Sequence, residues 1–148
     1  MELGQGLEFA RRRSRGVLVT RRADGRPQLS NVLYHLGGAE QSGGSEPVVR
    51  ISVTDDRAKT RNLRRNPSAS LYVPGDSFWE YVVLDGTAEL SPVASSTGDP
   101  TVDELVELYR SIRGEDHPDW GDYREVMVTE GRLVARLRPS HAYGIASA

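Results

Sequence analysis

Short apolar runs separated by turn-forming residues dominate this chain and predict β-strands. Seven stretches have this character, at residues 16–22, 28–36, 48–53, 69–73, 78–90, 132–137 and 142–145. Asp24-Gly25 lies between the first two stretches and predicts a tight hairpin, because glycine readily adopts the positive φ of such a turn. In the fifth stretch, Gly86 predicts a bulge or a bend.

Helical patterns are confined to four short segments. Between Val102 and Ile112 the apolar positions recur on one helix face, and the sequence offers Asp99 or Thr101 as the cap and Gly114 as the stop. Residues 7–13 and 119–128 predict two further helices, and the inward-facing residues of the second are Trp120, Tyr123, Val126 and Met127. A fourth helix is predicted between two strands and ends before Pro67, because proline disfavours helical backbone in the preceding residue.

The strand pattern predicts a mainly β, α+β fold built on an antiparallel barrel. The strands near the N-terminus have no helical crossovers between them, which disfavours a parallel doubly wound sheet. Closing the sheet into a barrel removes exposed strand edges. With 148 residues and no long linker, the chain is expected to form a single domain over residues 1–148. The Gly/Ser-rich segment 37–46 is predicted to be a mobile hairpin loop.

Composition argues against several classes of function. A formal net charge of −2 disfavours nucleic-acid binding through bulk charge. The absence of cysteine excludes disulfides and thiolate metal sites, and the three scattered histidines do not predict a metal centre. No apolar run is long enough to span a bilayer, and the N-terminus lacks the core of a signal peptide. We therefore expect a cytoplasmic protein without a membrane partner.

One basic segment, residues 54–67, stands out against this near-neutral charge. Asp55 or Asp56 is the predicted cap of its helix, and the first turn offers backbone N–H groups beside Arg57 and Lys59. Such a helix start favours a phosphate. The alternative is a solvated basic face without a ligand. Cations near a helix N-terminus oppose the helix dipole, and a bound anion would relieve this repulsion, so we favour the phosphate site.

Three motifs resemble the flavin-binding split β-barrel family, which is the pyridoxamine 5′-phosphate oxidase-like group. They are similar to the second-strand entry, the phosphate-binding helix and the long strand of that family, and they lie at residues 24–32, 57–67 and 85–90. Three further segments resemble the actinobacterial deazaflavin-dependent reductase branch of this family, at residues 108–110, 120–124 and 140–144. The resemblance covers almost the whole chain. It implies a six- to seven-stranded split β-barrel with short flanking helices, which forms a homodimer and binds its coenzyme at the dimer interface.

The resemblance also implies roles for individual residues. Arg57 and Lys59 match the phosphate ligands of the family, since guanidinium and ammonium groups both bind phosphate, and Thr60 can add a hydroxyl. The positions implied along the coenzyme ring or its side chain are those of Ser52, Asn31 and Ser30. The resemblance thus places a coenzyme site between the basic helix and two strands.

Two further assignments concern the periphery of that site. Trp79 matches a position at which a partner subunit could cover the coenzyme, and Arg61 or Arg64 could meet an acidic coenzyme tail. Each assignment has a structural alternative. Trp79 could pack in the core or at the dimer interface, Asn31 could satisfy a buried backbone group, and the two arginines could be solvated.

The expected activity is that of a deazaflavin (coenzyme F-420)-dependent oxidoreductase, which transfers hydride to a small conjugated or heteroaromatic substrate. In such enzymes the coenzyme carries the hydride and the protein supplies binding and orientation, and the sequence identifies no proton donor. An FMN-dependent pyridoxamine 5′-phosphate oxidase is the alternative, although residues 138–141 lack the Arg-x-His substrate clamp of that subfamily. The resemblance is also compatible with a coenzyme-binding protein without turnover and, more remotely, with a heme-binding split barrel.

Overall fold

The computed structural model describes residues 1–37 and 46–146, whose elements follow the predicted succession of strands and helices. The helices in this part of the chain are α1 (Leu3–Arg11), α2 (Ala58–Arg65), α3 (Pro100–Arg113) and α4 (Trp120–Thr129). The strands are β1 (Arg15–Arg21), β2 (Pro27–Leu33), β3 (His35–Gly37), β4 (Val48–Thr54), β5 (Ser68–Pro74), β6 (Tyr81–Leu90) and β7 (Arg132–Ile145). Most of the loop predicted at 37–46 lies outside the described residues. None of the helices in the described part is long and apolar enough to cross a membrane.

The described strands pair antiparallel in one sheet with the order β2-β1-β5-β6-β7-β4-β3. The first and last strands of this order, β2 and β3, are separated in the chain only by Tyr34. The two ends of the sheet must therefore lie close together, and the sheet curls into a half-barrel. Tyr34 is fully buried at this junction, and its hydroxyl donates to the Ala10 carbonyl at 2.7 Å. The predicted antiparallel split-barrel fold is confirmed.

The barrel interior holds the main hydrophobic core. Its fully buried large side chains include Leu18, Ile51, Leu71, Leu84, Leu133 and Leu137. Helix α1 packs against β6 and β7 and adds Leu7 and Ala10 to the same cluster. Gly6 permits this close approach, because a Cβ atom there would lie 2.6 Å from the Cβ of Ala142. A smaller core joins α3 and α4 to β7 through Val102, Leu105, Met127 and Val134.

Local sequence signals set several element ends as predicted. Asp99 caps α3 by accepting the Val102 N–H at 2.8 Å, and Gly114 ends this helix in the left-handed conformation with a φ of 69°. The register of β6 against β7 shifts at Gly86, which confirms the predicted bulge. Gly86 is needed there, since a Cβ atom would clash with the carbonyl oxygen of Arg138.

Three strand predictions differ from the structure. The single strand predicted at 28–36 is divided into β2 and β3 at the fully buried Tyr34. Strand β6 begins at Tyr81 rather than at residue 78, because the Gly75 N–H donates to the Glu80 carbonyl at 2.8 Å and closes a turn over the intervening residues. The two strands predicted after residue 132 form one strand, β7, which continues through Pro139. The bulge opposite Gly86 takes up one extra residue of β7, and pairing resumes beyond it.

The first helix also begins earlier than predicted. Helix α1 starts at Leu3 rather than at residue 7. The Glu2 N–H donates to the side-chain oxygen of Gln5 at 2.8 Å, and the Glu2 carbonyl accepts from the Gln5 N–H at 3.1 Å. These contacts order the first turn, although its sequence contains the two glycines Gly4 and Gly6.

An ion-pair cluster on the outside of the sheet ties α3 to β4 and β7. Glu104 of α3 accepts from Arg50 of β4 at 2.8 Å and from Arg136 of β7, and its side chain is 16% exposed. Burial alone would raise the pKa of Glu104, but the hydrogen bonds and charges of Arg136 and Arg50 outweigh burial and hold the pKa below its usual value. The carboxylate is therefore ionised at neutral pH and holds α3 on the sheet.

We predict that Glu104→Gln lowers the free energy of unfolding by about 3 kcal/mol at neutral pH, because it removes the carboxylate that lies between two part-buried guanidiniums. The folded-state pKa lies below the ordinary value of 4.5, so this contribution is complete above that value and is lost as the pH falls through the folded-state pKa. The stability difference between wild type and variant should therefore shrink in acid. Urea unfolding at neutral and acidic pH measures it.

Glu107→Gln is the matched control, since Glu107 is an exposed glutamate on the same helix. Its free energy of unfolding should stay within about 0.5 kcal/mol of wild type. Equal unfolding midpoints for the two variants, or a difference that does not change with pH, would contradict the role assigned to Glu104.

Candidate functional site

The start of α2 has no side-chain cap, although the Thr60 N–H of its first turn donates to the Arg57 carbonyl at 3.1 Å. The N-cap residue is Arg57, whose extended backbone (φ −84°, ψ 154°) carries no side-chain cap among the described residues. The predicted cap at Asp55 or Asp56 is wrong. The Asp55 carboxylate instead accepts from Arg64, a residue of the last turn of α2, at 2.5 Å. The helix start is thus free of a competing carboxylate cap.

Positive charge converges at this helix start. Lys59 is half-buried in the first turn of α2. Burial lowers the pKa of Lys59, and the charges of Arg57 and Arg132 lower it further. Arg132, at the start of β7, pairs with Glu130 at 3.1 Å and lies 3.5 Å from the Ser52 hydroxyl. The nearby carboxylates of Asp55 and Glu130 are each paired with an arginine, so the three cations Arg57, Lys59 and Arg132 make a local environment that favours an anion.

The inner side of α2 fixes this arrangement on the sheet. Thr60 is fully buried and donates its hydroxyl to the Thr54 carbonyl at 2.7 Å, which ties the helix to the end of β4. The buried Asn62 amide donates to the Thr20 hydroxyl of β1 at 3.1 Å. Leu63 is buried in the main core. The hydroxyl of Thr60 is thus engaged within the protein, and its role as a phosphate ligand stays a prediction.

A cavity of about 390 Å³, which we call the Lys59 cavity, opens beside these cations. Its sheet-side wall consists of Asn31, Val32, Leu33, Ser52, Lys59 and Arg132. Its helix-side wall consists of Leu108, Tyr109, Ile112, Arg113, Tyr123 and Met127. The fold therefore brings together three residues predicted for one site from distant parts of the sequence, namely Asn31, Ser52 and Lys59. Ser30 is half-buried on the opposite face of β2 from Asn31 and does not line this cavity.

The helix-side wall is mainly aromatic and aliphatic and carries one cation, Arg113. Tyr109 and Tyr123 pack edge to face at 5.2 Å between ring centroids, together with His117 and Trp120. Burial raises the pKa of Tyr123 to about 12, and its hydroxyl donates to the Leu105 carbonyl at 3.1 Å. The phenol therefore stays neutral and its proton is engaged in a backbone hydrogen bond. Lys59 and Arg132 thus lie on the sheet side of the cavity, and aromatic rings line its helix side.

Sequence analysis did not identify the helix-side wall or Arg132 as part of a site. The apolar positions of α3 predict a helix packed on the sheet, and Leu105 and Val102 do pack there. Tyr109 and Arg113 lie one turn apart on the flank of that face, where a stacking contact of 5.2 Å joins the guanidinium to the ring. The sequence signal that could have indicated this wall was an aromatic and a basic residue four positions apart, beside an apolar stripe.

The two arginines predicted to meet an acidic tail already have partners near the start of α2. Arg61 donates to the Asp56 carbonyl, and Arg64 donates to both the carbonyl and the carboxylate of Asp55. Both side chains lie on the exposed side of the helix. These contacts close the turn between β4 and α2.

Trp79 lies away from the Lys59 cavity, in the turn between β5 and β6. Its side chain is 73% exposed and meets the ring of Phe78, itself 85% exposed, at 4.8 Å between centroids. Trp79 therefore does not pack in the core of this chain. Its predicted role as a cover supplied to a partner subunit stays a prediction.

Besides Phe78 and Trp79, the chain exposes a group of apolar side chains on the outer face of the sheet. One row of paired residues crosses this face from β2 to β7 and consists of Asn31, Val17, Tyr72, Val83 and Tyr143. The exposed large apolar residues on this face are Leu29, Leu33, Tyr143 and Ile145. A depression here, which we call the β2 cavity, is lined by Asn31, Val32 and Leu33 together with Arg15, Val17 and Pro74. Three consecutive β2 residues therefore border both cavities.

A polar group interrupts this apolar face. Asp85 of β6 accepts from the Ser70 hydroxyl at 2.5 Å, and its other carboxylate oxygen lies 3.2 Å from Nδ1 of His141. The His141 ring in turn lies beside Tyr143, with 6.1 Å between centroids. The carboxylate thus fixes the orientation of an exposed imidazole.

Comparison with solved structures finds the same fold in proteins of different description. An F420 reductase shares 24% sequence identity, with 92% of this chain and 94% of that chain covered and a TM-score of 0.64. A conserved hypothetical protein from Mycobacterium tuberculosis shares 21% identity over 96% of this chain and 82% of that chain, with a TM-score of 0.69. A heme storage protein from Vibrio cholerae shares 14% identity over 96% and 93% of the two chains, with a TM-score of 0.62. At these identities the likeness concerns the fold.

A family model gives the more direct assignment. The pyridoxamine 5′-phosphate oxidase model matches residues 5–144, which include the whole sheet apart from the last residue of β7 and all but the first two residues of α1. The match therefore contains both walls of the Lys59 cavity and the basic helix. This protein belongs to the pyridoxamine 5′-phosphate oxidase family.

Proposed function

We propose that this protein is a deazaflavin (coenzyme F-420)-dependent oxidoreductase that transfers hydride to a small conjugated or heteroaromatic substrate. The observation that carries the proposal is that Lys59 and Arg132 line a cavity with an aromatic wall, while the charge of Arg57 acts on Lys59 from the start of the same helix. Family membership supports an oxidoreductase with a flavin-type coenzyme, and the F420 reductase with the same fold supports the deazaflavin form.

The residues of the Lys59 cavity fit a phosphate-bearing ring coenzyme. Arg57, Lys59 and the N–H groups of the first turn of α2 would hold the phosphate. The polar side chains of Asn31 and Ser52 line the sheet wall, where they can orient the edge of a ring. When bound, the coenzyme supplies hydride at its ring carbon. The protein itself binds and orients the coenzyme and excludes water from it. The aromatic helix-side wall serves to exclude water.

FMN is the alternative coenzyme, since it also offers a ring and a phosphate. The phosphate-binding cations would serve either coenzyme. The C-terminal residues Arg138 and His141 disfavour pyridoxamine 5′-phosphate as the substrate, because their spacing departs from the substrate clamp of pyridoxamine 5′-phosphate oxidases. Parallel fluorescence titrations with coenzyme F-420 and FMN decide between the two, and tighter binding of FMN would reverse this choice.

We further propose that two copies of the chain form a homodimer through the outer sheet face. This face presents Leu29, Leu33, Tyr143 and Ile145 to solvent in the single chain. Exposed apolar patches of this kind are typical of protein interfaces. Because β2 borders both the sheet face and the Lys59 cavity, a second copy seated there would lie next to the coenzyme.

Heme binding is a second candidate function, favoured by the contact between Asp85 and His141. A carboxylate that bonds one imidazole nitrogen commonly orients the other nitrogen toward a metal. The imidazole lies beside Tyr143 on an apolar face, and a heme storage protein shares this fold. If this function holds, heme titration should give a Soret band that His141→Ala abolishes. If titration of wild type with heme gives no Soret band, heme binding is ruled out as a function.

We predict that the double substitution Arg57→Ala and Lys59→Ala weakens binding of coenzyme F-420 about a hundredfold, because it removes two charge-assisted contacts to phosphate. Fluorescence titration of the purified apo-protein measures the dissociation constants.

The matched control replaces two exposed arginines elsewhere, Arg12→Ala and Arg26→Ala, and produces the same change in net charge. Its affinity should stay close to wild type. If both double variants bind as wild type does, Arg57 and Lys59 are not the phosphate ligands. If both weaken equally, the attraction is general rather than local.

We predict that Leu29→Glu with Leu33→Glu converts the dimer into monomers, since like charges would replace apolar contacts at the proposed interface. Light scattering coupled to size-exclusion chromatography measures the mass. Thr129→Glu, at an exposed position on α4, is the control and should leave the dimer intact. A wild-type protein that is monomeric at high concentration would refute the interface.

A further inference from the structure

Arg113 of α3 brings a cation to the helix-side wall of the Lys59 cavity, whereas Lys59 and Arg132 belong to its sheet-side wall. None of the residues that line this cavity within the described part of the chain is acidic. Glu130 pairs with Arg132 at 3.1 Å, so its charge is engaged on the sheet side. The cavity therefore presents positive charge from both walls, and a phosphate held at the start of α2 leaves the charge of Arg113 unmatched.

The guanidinium of Arg113 has hydrogen-bond donors to spare. It stacks over the ring of Tyr109, with 5.2 Å between its central carbon and the ring centroid. A stacked guanidinium uses its flat face and leaves the N–H groups along its edge available. No hydrogen bond or ion pair of Arg113 occurs within residues 1–37 and 46–146, and its side chain is exposed, which leaves those donors accessible. Arg110 differs, because it stacks on Trp120 and also pairs with Asp116 at 2.7 Å.

The contacts of Tyr109 place this donor edge beside a continuous aromatic surface. Tyr109 packs edge to face on Tyr123 at 5.2 Å between ring centroids. Burial raises the pKa of Tyr123, and the charges of Arg132 and Arg113 act against that increase, so both guanidiniums lie near the phenol. A flat ligand that packs on the two tyrosine rings therefore has the donors of Arg113 next to it.

A single guanidinium selects a different anion from the cations at the start of α2. Phosphate carries close to two charges at neutral pH, which suits Arg57, Lys59 and the helix start together. A carboxylate carries one charge, and its plane matches the fork of one guanidinium with two parallel hydrogen bonds. The wall that contains Arg113 thus favours a flat molecule with one carboxylate.

We propose that Arg113 is a specificity-determining residue of an acceptor subsite on the helix side of the Lys59 cavity, which takes a planar conjugated carboxylate. The flat body of the acceptor packs on Tyr109 and Tyr123, and its carboxylate accepts from the Arg113 guanidinium. This inference rests on the proposed function for the role of the ligand as hydride acceptor. It narrows the substrate class from small conjugated molecules to conjugated carboxylic acids.

The subsite can be tested on the apo-protein with cinnamate as the probe. The chain contains two methionines, Met1 and Met127, and Met127 lines the cavity. NMR of protein labelled with ¹³C at the methionine methyl groups therefore gives a local readout, in which the Met127 signal is assigned by its loss in Met127→Leu. Cinnamate should shift this signal, since an aromatic ring bound nearby changes the magnetic environment of the methyl group. Uncharged cinnamamide should bind about tenfold more weakly, because it offers no carboxylate to the guanidinium.

Variants of α3 assign the effect to one side chain. Arg113→Gln should weaken cinnamate binding about tenfold and remove the preference over cinnamamide. Arg113→Lys keeps the charge without the fork and should lie between the two. Arg110→Gln is the matched control, because it removes the same charge from an exposed position of the same helix outside the cavity lining, and it should bind as wild type does. A Met127 signal that ignores cinnamate, equal binding of acid and amide, equal losses in both glutamine variants, or a loss confined to Lys59→Ala would overturn the proposal.

Turnover separates the subsite from the proposed function. With reduced coenzyme F-420, Arg113→Gln should raise KM for a conjugated carboxylate acceptor about tenfold, with little change in kcat, and leave KM for its methyl ester unchanged. Reduction with the same KM for the acid in both proteins would support the proposed function and refute the subsite. Arg113-dependent cinnamate binding by a protein that binds no coenzyme F-420 would support the subsite and refute the proposed function. If Arg113→Gln instead weakens binding of the intact coenzyme but not of its fragment without the acidic side chain, Arg113 binds the coenzyme and the acceptor assignment is wrong.

Discussion

The structure depends on one constraint of connectivity: β2 and β3 are a single stretch of chain, yet they stand at opposite ends of the strand order. Tyr34, the residue between them, is fully buried and hydrogen-bonded to α1. Burial raises the pKa of the Tyr34 phenol well above its usual value, so the group stays a neutral donor. This junction forces the sheet to curl and leaves a gap between β2 and β4. The Lys59 cavity lies along that gap.

The charges around this gap are distributed unevenly between its two sides. Lys59 and Arg132 line the sheet side, and the neutral ring of Tyr123 stands on the helix side. The ion pairs of Glu104 hold α3 in place and so define the distance between the two walls. The same ion pairs that stabilise the fold therefore also shape the Lys59 cavity.

Local chemistry in the sequence predicted much of this architecture. The Asp99 cap, the Gly114 stop and the Gly86 bulge depend on residues near in sequence, and each is present. The convergence of Asn31, Ser52 and Lys59 followed from the family resemblance. The cap of α2 was wrong because Asp55 found a better partner in Arg64, within the folded turn. Arg132 and the helix-side wall were missed, since their proximity to Lys59 exists only after β7 and α3 have packed on the sheet.

Strand β2 links two properties of the protein that are usually independent. Asn31, Val32 and Leu33 border the Lys59 cavity on one side and the apolar sheet face on the other. A substitution that reshapes the first surface necessarily alters the second. Under the proposed dimer interface, evolutionary changes in ligand preference would therefore be expected to arrive together with changes in self-association.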